Sequence, residues 1–392
     1  MLNSAHPAAC ESGQAETSLR GQYHGDQTIH WARTVQIGIS VNMCHSPHPF
    51  KRSSLILLCA LCCTLLFGCS VVPPPVVGPV AIDKIIPAQV LPSTPTRFDL
   101  PGGESLAARV WATPSPRHIV LGVHGFNDYS KAFDPLAQHL SAELGATVYA
   151  YDQRGFGANT EPGVWPGAEM LLADLRHIAE QLRQRYPGLP LTVVGESMGG
   201  ALVWVAAAES PGLVADQIAL KAPAVWGASS MPWYQRFSLQ FMNMVAPNMT
   251  FTGRGVQSLG ITPTDDIEVS RDFGRDPLFI KATRVSSLVG VTEVMGRAQG
   301  LRNAPPQRTL VLYGLRDRII PPSPVCDWLA HLNTAVSKNE ALDFVVYPDG
   351  WHLLTRQLKT RDVMQDVQAW MQQKPLVRRQ SAQQAQVAVC SQ

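Results

Sequence analysis

The sequence predicts an α/β domain: a mostly parallel central sheet flanked by helices, with an inserted helical cap. Three observations predict it. Short β-rich runs alternate with helical runs over most of the chain, one gap of about eighty residues breaks that alternation, and the chain can bury a single large core. With 45% hydrophobic and 16% charged residues among 392, whole-chain disorder is excluded. A formal net charge of +2 offers no electrostatic case for nucleic acid as a partner.

The chain opens on an address rather than a domain. Residues 1–42 show no apolar period and read as an over-extended start, because Met43 begins a short leader in which Lys51 and Arg52 precede an apolar run. That run, residues 55–67, contains Thr64 as its only polar residue and is too short to span a bilayer. A basic flank, a short apolar segment and the small Gly68 before Cys69 describe a secretory signal over 43–68. The ending Leu66, Phe67, Gly68, Cys69 resembles a bacterial lipobox, which implies lipidation of Cys69 and a membrane as partner. Ser70, by resemblance to Gram-negative lipoproteins, implies the outer membrane. Residues 69–95 include Pro73, Pro74, Pro75 and Pro79 and read as a stiff linker.

Six of the eight cysteines lie by Cys69, leaving Cys326 and Cys390, which is no disulfide framework. Cys44, His45 and His48 lack a second ligand pair at zinc-like spacing, so no metal and no other cofactor is assigned.

The core is expected at 96–223 and 304–374, with strands near 106–111, 119–124, 147–151, 191–194, 217–220, 309–313 and 342–347. Helices fit at 133–144, 168–186, 198–210, 324–332 and 361–373, and the Gln-rich tail 375–392 reads as frayed. Residues 224–303 exceed any simple loop and read as the cap. Within it Trp233, Phe237, Phe241 and Met244 share one helical face, and either fill the cap's own core or line an acyl pocket.

The chemistry is concentrated in four loops. Gly195, Glu196, Ser197, Met198, Gly199 leave an apolar strand and open an apolar helix, the context of a nucleophile elbow. Ser197 is the candidate nucleophile, and serine needs a base nearby. His352 follows the last strand in a Gly-containing loop and is the candidate base. Asp317 follows the strand before it and is the candidate acid, in preference to Asp343 within a strand and Asp349 beside the base. Backbone N–H groups of Met198 and Phe126 are the candidate oxyanion donors. His124 reads as a loop-holding residue, and Arg154, Gly155, Phe156, Gly157 as a shaping turn, since that stretch lacks the Lys-Ser or Lys-Thr of a phosphate loop.

These motifs in this order, with Tyr151 to Gly157 and the cap segment Asp276, Pro277, Leu278, resemble the monoacylglycerol lipase and lysophospholipase branch of the α/β-hydrolases, also called serine aminopeptidase-like. Glu196 stands where that family more often has His, and Asn127 and Asp128 fall where related lipases vary. The resemblance implies a serine esterase cleaving a lipid ester through an acyl-enzyme. An amidase or aminopeptidase keeps the same triad, and a non-catalytic envelope lipoprotein is the alternative from another class.

Overall fold

The computed structural model describes residues 83–84, 91–253, 261–336 and 342–392. The expected start, signal peptide, Cys69 and most of the linker therefore lie outside the described residues. No helix among the described residues is long and apolar enough to cross a membrane.

Eight strands form the central sheet: β1 (Thr94–Asp99), β2 (Ser105–Trp111), β3 (His118–Val123), β4 (Ala146–Tyr151), β5 (Leu191–Glu196), β6 (Gln217–Lys221), then β9 (Arg308–Gly314) and β10 (Leu342–Tyr347). A separate ribbon of β7 (Thr250–Thr252) and β8 (Ala282–Arg284) lies within the insertion. The sheet order is β1-β2-β4-β3-β5-β6-β9-β10, antiparallel across its first two pairings and parallel from β4 onward. The interior strands are buried on both faces, which is why their middles read as apolar runs rather than alternating ones. β1 was not expected as a strand. It is an edge strand with Pro95 and an exposed face, so it carries no apolar run to announce it.

The helices are α1 (Asp134–Leu144), α2 (Ala168–Arg185), α3 (Met198–Ala208), α4 (Trp233–Val245), α5 (Ile267–Arg275), α6 (Val285–Gly300), α7 (Pro322–Val336), α8 (Arg361–Met371) and α9 (Ala382–Cys390). One layer of core packs α1 and α8 on the sheet through Phe133, Leu136, Leu140, Val363 and Trp370. The other packs α2, α3 and α7, with Trp204 edge-on to Trp328 at 5.3 Å between centroids.

Three expectations need correction. The insertion between β6 and β9 contains α4 to α6, but α6 buries Val291, Val294, Met295 and Ala298 in the main core. The α4 stripe does not fill a cap core: Trp233, Phe237 and Met244 are 72, 66 and 73% exposed, and half-buried Phe241 stacks on Phe237. The helix buries Ser238 instead, so its apolar face turns outward. Nor is the tail frayed. Gln380 donates its N–H to the Phe344 carbonyl at 2.8 Å, Ser381 and Gln384 form a capping box, and Cys390 is disulfide-bonded to Cys326 of α7. That pairing joins residues 64 apart and has no local spacing signature. Closing such a loop constrains the unfolded chain, so Cys390→Ser is expected to lower the unfolding free energy by about 2–4 kcal/mol. A denaturant midpoint equal to that of the parent protein, with and without reductant, contradicts this.

Candidate active site

β5 stops and α3 begins with only Ser197 between them, held at φ 56° and ψ −119°. That conformation is strained for a residue with a side chain and persists only where surroundings impose it. The imposing contacts are close. A Cβ on Gly195 would lie 2.4 Å from the Gly199 carbonyl oxygen, and one on Gly199 would lie 2.1 Å from that of Val123. The Ser197 N–H donates to the Lys221 carbonyl at 3.0 Å, and the Ser197 carbonyl accepts from Ala224 N–H at 3.0 Å. The turn thus fixes the serine at the carboxyl end of β5.

Asp317 and His352 reach the same edge from the loops after β9 and β10. His352 Nδ1 lies 2.7 Å from Asp317 Oδ2, and both side chains are buried. Asp317 Oδ1 accepts the N–H groups of Ile319 and Ile320 at 2.8 and 2.9 Å, which orients the carboxylate toward the imidazole. Asp349, the rival acid, pairs instead with Arg316 and Lys359 and is half-exposed. Among the described residues, Ser197 Oγ makes no direct hydrogen bond to His352. Such bonds are often long before substrate binds.

The loop after β3 closes the site from the opposite side. A Cβ on Gly125 would come within 3.2 Å of the Ser197 Cβ, so this glycine lets the loop touch the elbow. Among the described residues, neither the Phe126 N–H nor the Met198 N–H has a partner in the protein. They are therefore available as donors to an oxyanion, with Met198 also at the positive end of α3. The Phe126 ring is half-buried, edge-on to Phe156 and Trp165.

His124 holds this loop rather than facing solvent. Its Nδ1 lies 2.8 Å from the Gly125 carbonyl and Nε2 accepts the Gln153 N–H at 3.0 Å, while burial pushes its pKa down. The following turn is built on Asp152, which accepts the N–H groups of Ser130 and Ala158. At Gly157 a Cβ would collide with that carboxylate at 2.2 Å.

This geometry agrees with the comparisons. The Hydrolase_4 family, described as serine aminopeptidase S33, matches residues 114–359. The chain belongs to this family. It is 27% identical over 286 residues to a monoglyceride lipase of Homo sapiens, covering 69% of this chain and 88% of that protein. A monoacylglycerol lipase of Mycolicibacterium smegmatis is 26% identical over 284 residues, covering 69% of this chain and 94% of the relative. Among solved structures, a soluble variant of the Saccharomyces cerevisiae monoglyceride lipase with a substrate analog superposes with a TM-score of 0.59 at 18% identity, covering 77% and 99% of the two chains. The Paleococcus ferrophilus monoacylglycerol lipase gives 0.55 at 20% identity, covering 68% and 98%. The architecture is the α/β-hydrolase fold.

Within this family fold the chain carries a buried ionic cluster that the sequence did not reveal. Glu196 Oε2 accepts from Lys221 Nζ at 2.7 Å and Oε1 from Arg356 Nη2 at 2.6 Å. The same Arg356 nitrogen donates to Asp128 Oδ2 at 2.7 Å, and Lys221 also donates to Thr355 Oγ1 at 2.8 Å. Burial alone would raise the Glu196 carboxyl, but Arg356 and Lys221 hold it down to about 2. Burial pushes the Lys221 ammonium down against the pull of Glu196. Asn127, the other departure in this loop, donates to Thr283 Oγ1 at 2.7 Å and accepts the Ile280 N–H at 3.0 Å, tying the loop to the insertion. The usable signal was Lys221 at the end of an apolar strand, since a buried lysine requires a partner.

Proposed function

We propose that the chain is a serine carboxylic ester hydrolase acting on single-chain lipid esters of the monoacylglycerol or lysophospholipid class. The observation that carries this reading is the buried 2.7 Å Asp317–His352 pair at the same sheet edge as the strained Ser197, beside two unpartnered N–H groups. Ser197 Oγ attacks the ester carbonyl while His352 Nε2 takes its proton. The oxyanion sits on the Phe126 and Met198 N–H groups, and His352 returns the proton to the departing alcohol. Water, deprotonated by the same imidazole, then releases the acid. No cofactor enters these steps.

The substrate class follows from the relatives' names and from the outward apolar face of α4, which Trp233, Phe237 and Met244 leave for an acyl chain to cover. Each methylene such a surface covers is worth about 0.8 kcal/mol, so kcat/KM on single-chain esters is expected to rise with acyl length. Phe237→Ala is expected to flatten the rise. Faster cleavage of matched aminoacyl amides, or a preference for acetyl over every longer chain, overturns the lipid reading in favour of an amidase or short-chain esterase.

The same reading includes a membrane anchor at Cys69, placing the domain in the bacterial cell envelope at the outer membrane. The Cys326–Cys390 disulfide supports export, because such bonds persist in oxidising compartments. Intact mass spectrometry of the native protein tests it: the expected chain begins at a diacylated Cys69, and an unlipidated chain beginning earlier rejects it.

A further inference from the structure

Four buried charges lie behind the elbow, and proton transfer uses none of them. Glu196, Lys221, Asp128 and Arg356 are 1, 0, 6 and 9% exposed. Lys221 Nζ sits 4.9 Å from the Phe133 ring centroid and the Arg356 guanidinium 5.4 Å from that of Phe273, so an aromatic face lies against each cation. Buried ion pairs often contribute less stability than apolar residues of the same volume, so packing alone does not account for this one. Its placement does. Asp128 is two residues beyond Phe126, Glu196 adjoins Ser197, the Lys221 carbonyl holds the Ser197 N–H, and Thr355 and Arg356 follow His352 by three and four residues. One nitrogen of Arg356 binds both Glu196 and Asp128. The oxyanion loop, the elbow and the histidine loop therefore meet at a single guanidinium, within a cluster of two cations and two anions.

We propose that Arg356, Glu196 and Asp128 are positioning residues for ester hydrolysis: Arg356 sets the oxyanion loop against the elbow, and the cluster holds a charge-balanced setting behind the histidine loop. The inference rests on the serine hydrolase reading above. If Arg356 sets the loop, losing any of its contacts displaces the Phe126 N–H from the position where charge develops, which lowers kcat more than it raises KM. If that balanced charge is felt at the histidine loop, removing one anion leaves excess positive charge, disfavours the imidazolium and moves the acid limb of the pH profile down. Removing the cation does the reverse. Asp317, bonded to His352, Asp349 with Arg316 and Lys359 beside that loop, buried His124 with Asp152 next to Asp128 and Glu196, and Asp134 near Arg356 are untouched by these changes.

The test is the pH dependence of kcat and kcat/KM on a single-chain p-nitrophenyl ester, measured on the full chain and on Glu196→Gln, Asp128→Asn, Arg356→Gln, Arg356→Lys and the double variant Asp128→Asn/Arg356→Gln. We expect kcat to fall by about 10–100-fold in each single variant, less than the roughly 10²–10³-fold for outright loss of an oxyanion donor because the donor is displaced rather than removed. The acid limb is expected to move by about half a pH unit or more, downward for Glu196→Gln and Asp128→Asn and upward for Arg356→Gln. It should return in the double variant, whose charge is balanced again, while kcat stays low. Arg356→Lys, which keeps the charge and loses the shared nitrogen, should lower kcat without moving the limb. Limbs that stay in place, or move in one direction whatever the charge removed, overturn the proposal. So does an Asp128→Asn enzyme with kcat within twofold of the parent. Should the Glu196 and Arg356 variants fail to fold, the isosteric Asp128→Asn alone decides by the same two readouts. A parent protein that neither hydrolyses esters nor reacts with a fluorophosphonate fails the serine hydrolase reading instead, a result distinct from all of these.

Discussion

Ser197→Ala is expected to abolish ester turnover and fluorophosphonate labelling while leaving the protein folded. Under the proposed mechanism the expected loss in kcat is on the order of 10⁶-fold, since His352 and Asp317 then have no hydroxyl to activate. Stability should change little, within about 1 kcal/mol, because alanine retains the Cβ and the strained backbone and no packed atom is lost. Ser197→Gly separates strain from chemistry. Glycine adopts φ 56° freely, so this variant is expected to be equally inactive but more stable by about 1–2 kcal/mol. Turnover by Ser197→Ala comparable to the parent's sinks the assignment, whatever its melting temperature.

The parts of this molecule that were legible from sequence are those set by local physics. Parallel interior strands must be apolar on both faces, so β3, β5 and β9 stand out as short runs of Val, Leu and Ile within a residue or two of their observed ends. The elbow is legible because glycine is required on both sides of Ser197, where any Cβ meets backbone at under 2.5 Å. The pairing of Asp317 with His352 is legible because consecutive parallel strands deliver the loops after β9 and β10 to the edge where β5 ends. What was hidden depends on pairings distant in sequence. Arg356 meets residues 160 and 228 positions away, and Cys390 meets Cys326 across 64. Neither leaves a periodic trace. The α4 stripe was legible only in part: helical spacing reveals that one face is apolar, but not whether that face turns toward the core or away from it.

Asp317→Asn is expected to lower kcat/KM by roughly 10⁴-fold with little change in fold, and the direction of its hydrogen bonds explains why. In the parent, Oδ1 is occupied by the N–H groups of Ile319 and Ile320, which leaves Oδ2 to accept the Nδ1–H of His352. An asparagine at this position must keep its carbonyl oxygen on those two backbone donors, because its amide nitrogen cannot accept from them. The amide then faces His352 with an N–H. Imidazole can meet that donor only with an unprotonated Nδ1, which moves its proton to Nε2, the atom that must accept from Ser197. In the proposed mechanism the imidazole is thereby blocked in its resting tautomer, while Ser197 and the Phe126 and Met198 N–H groups stay in place. Asp349→Asn provides the contrast. Its carboxylate is half-exposed and paired with Arg316 and Lys359 rather than with the imidazole, so kcat/KM should remain within about threefold of the parent. Steady-state kinetics on one ester at neutral pH decide between them, and a larger loss from Asp349→Asn than from Asp317→Asn would mean that the acid is misassigned.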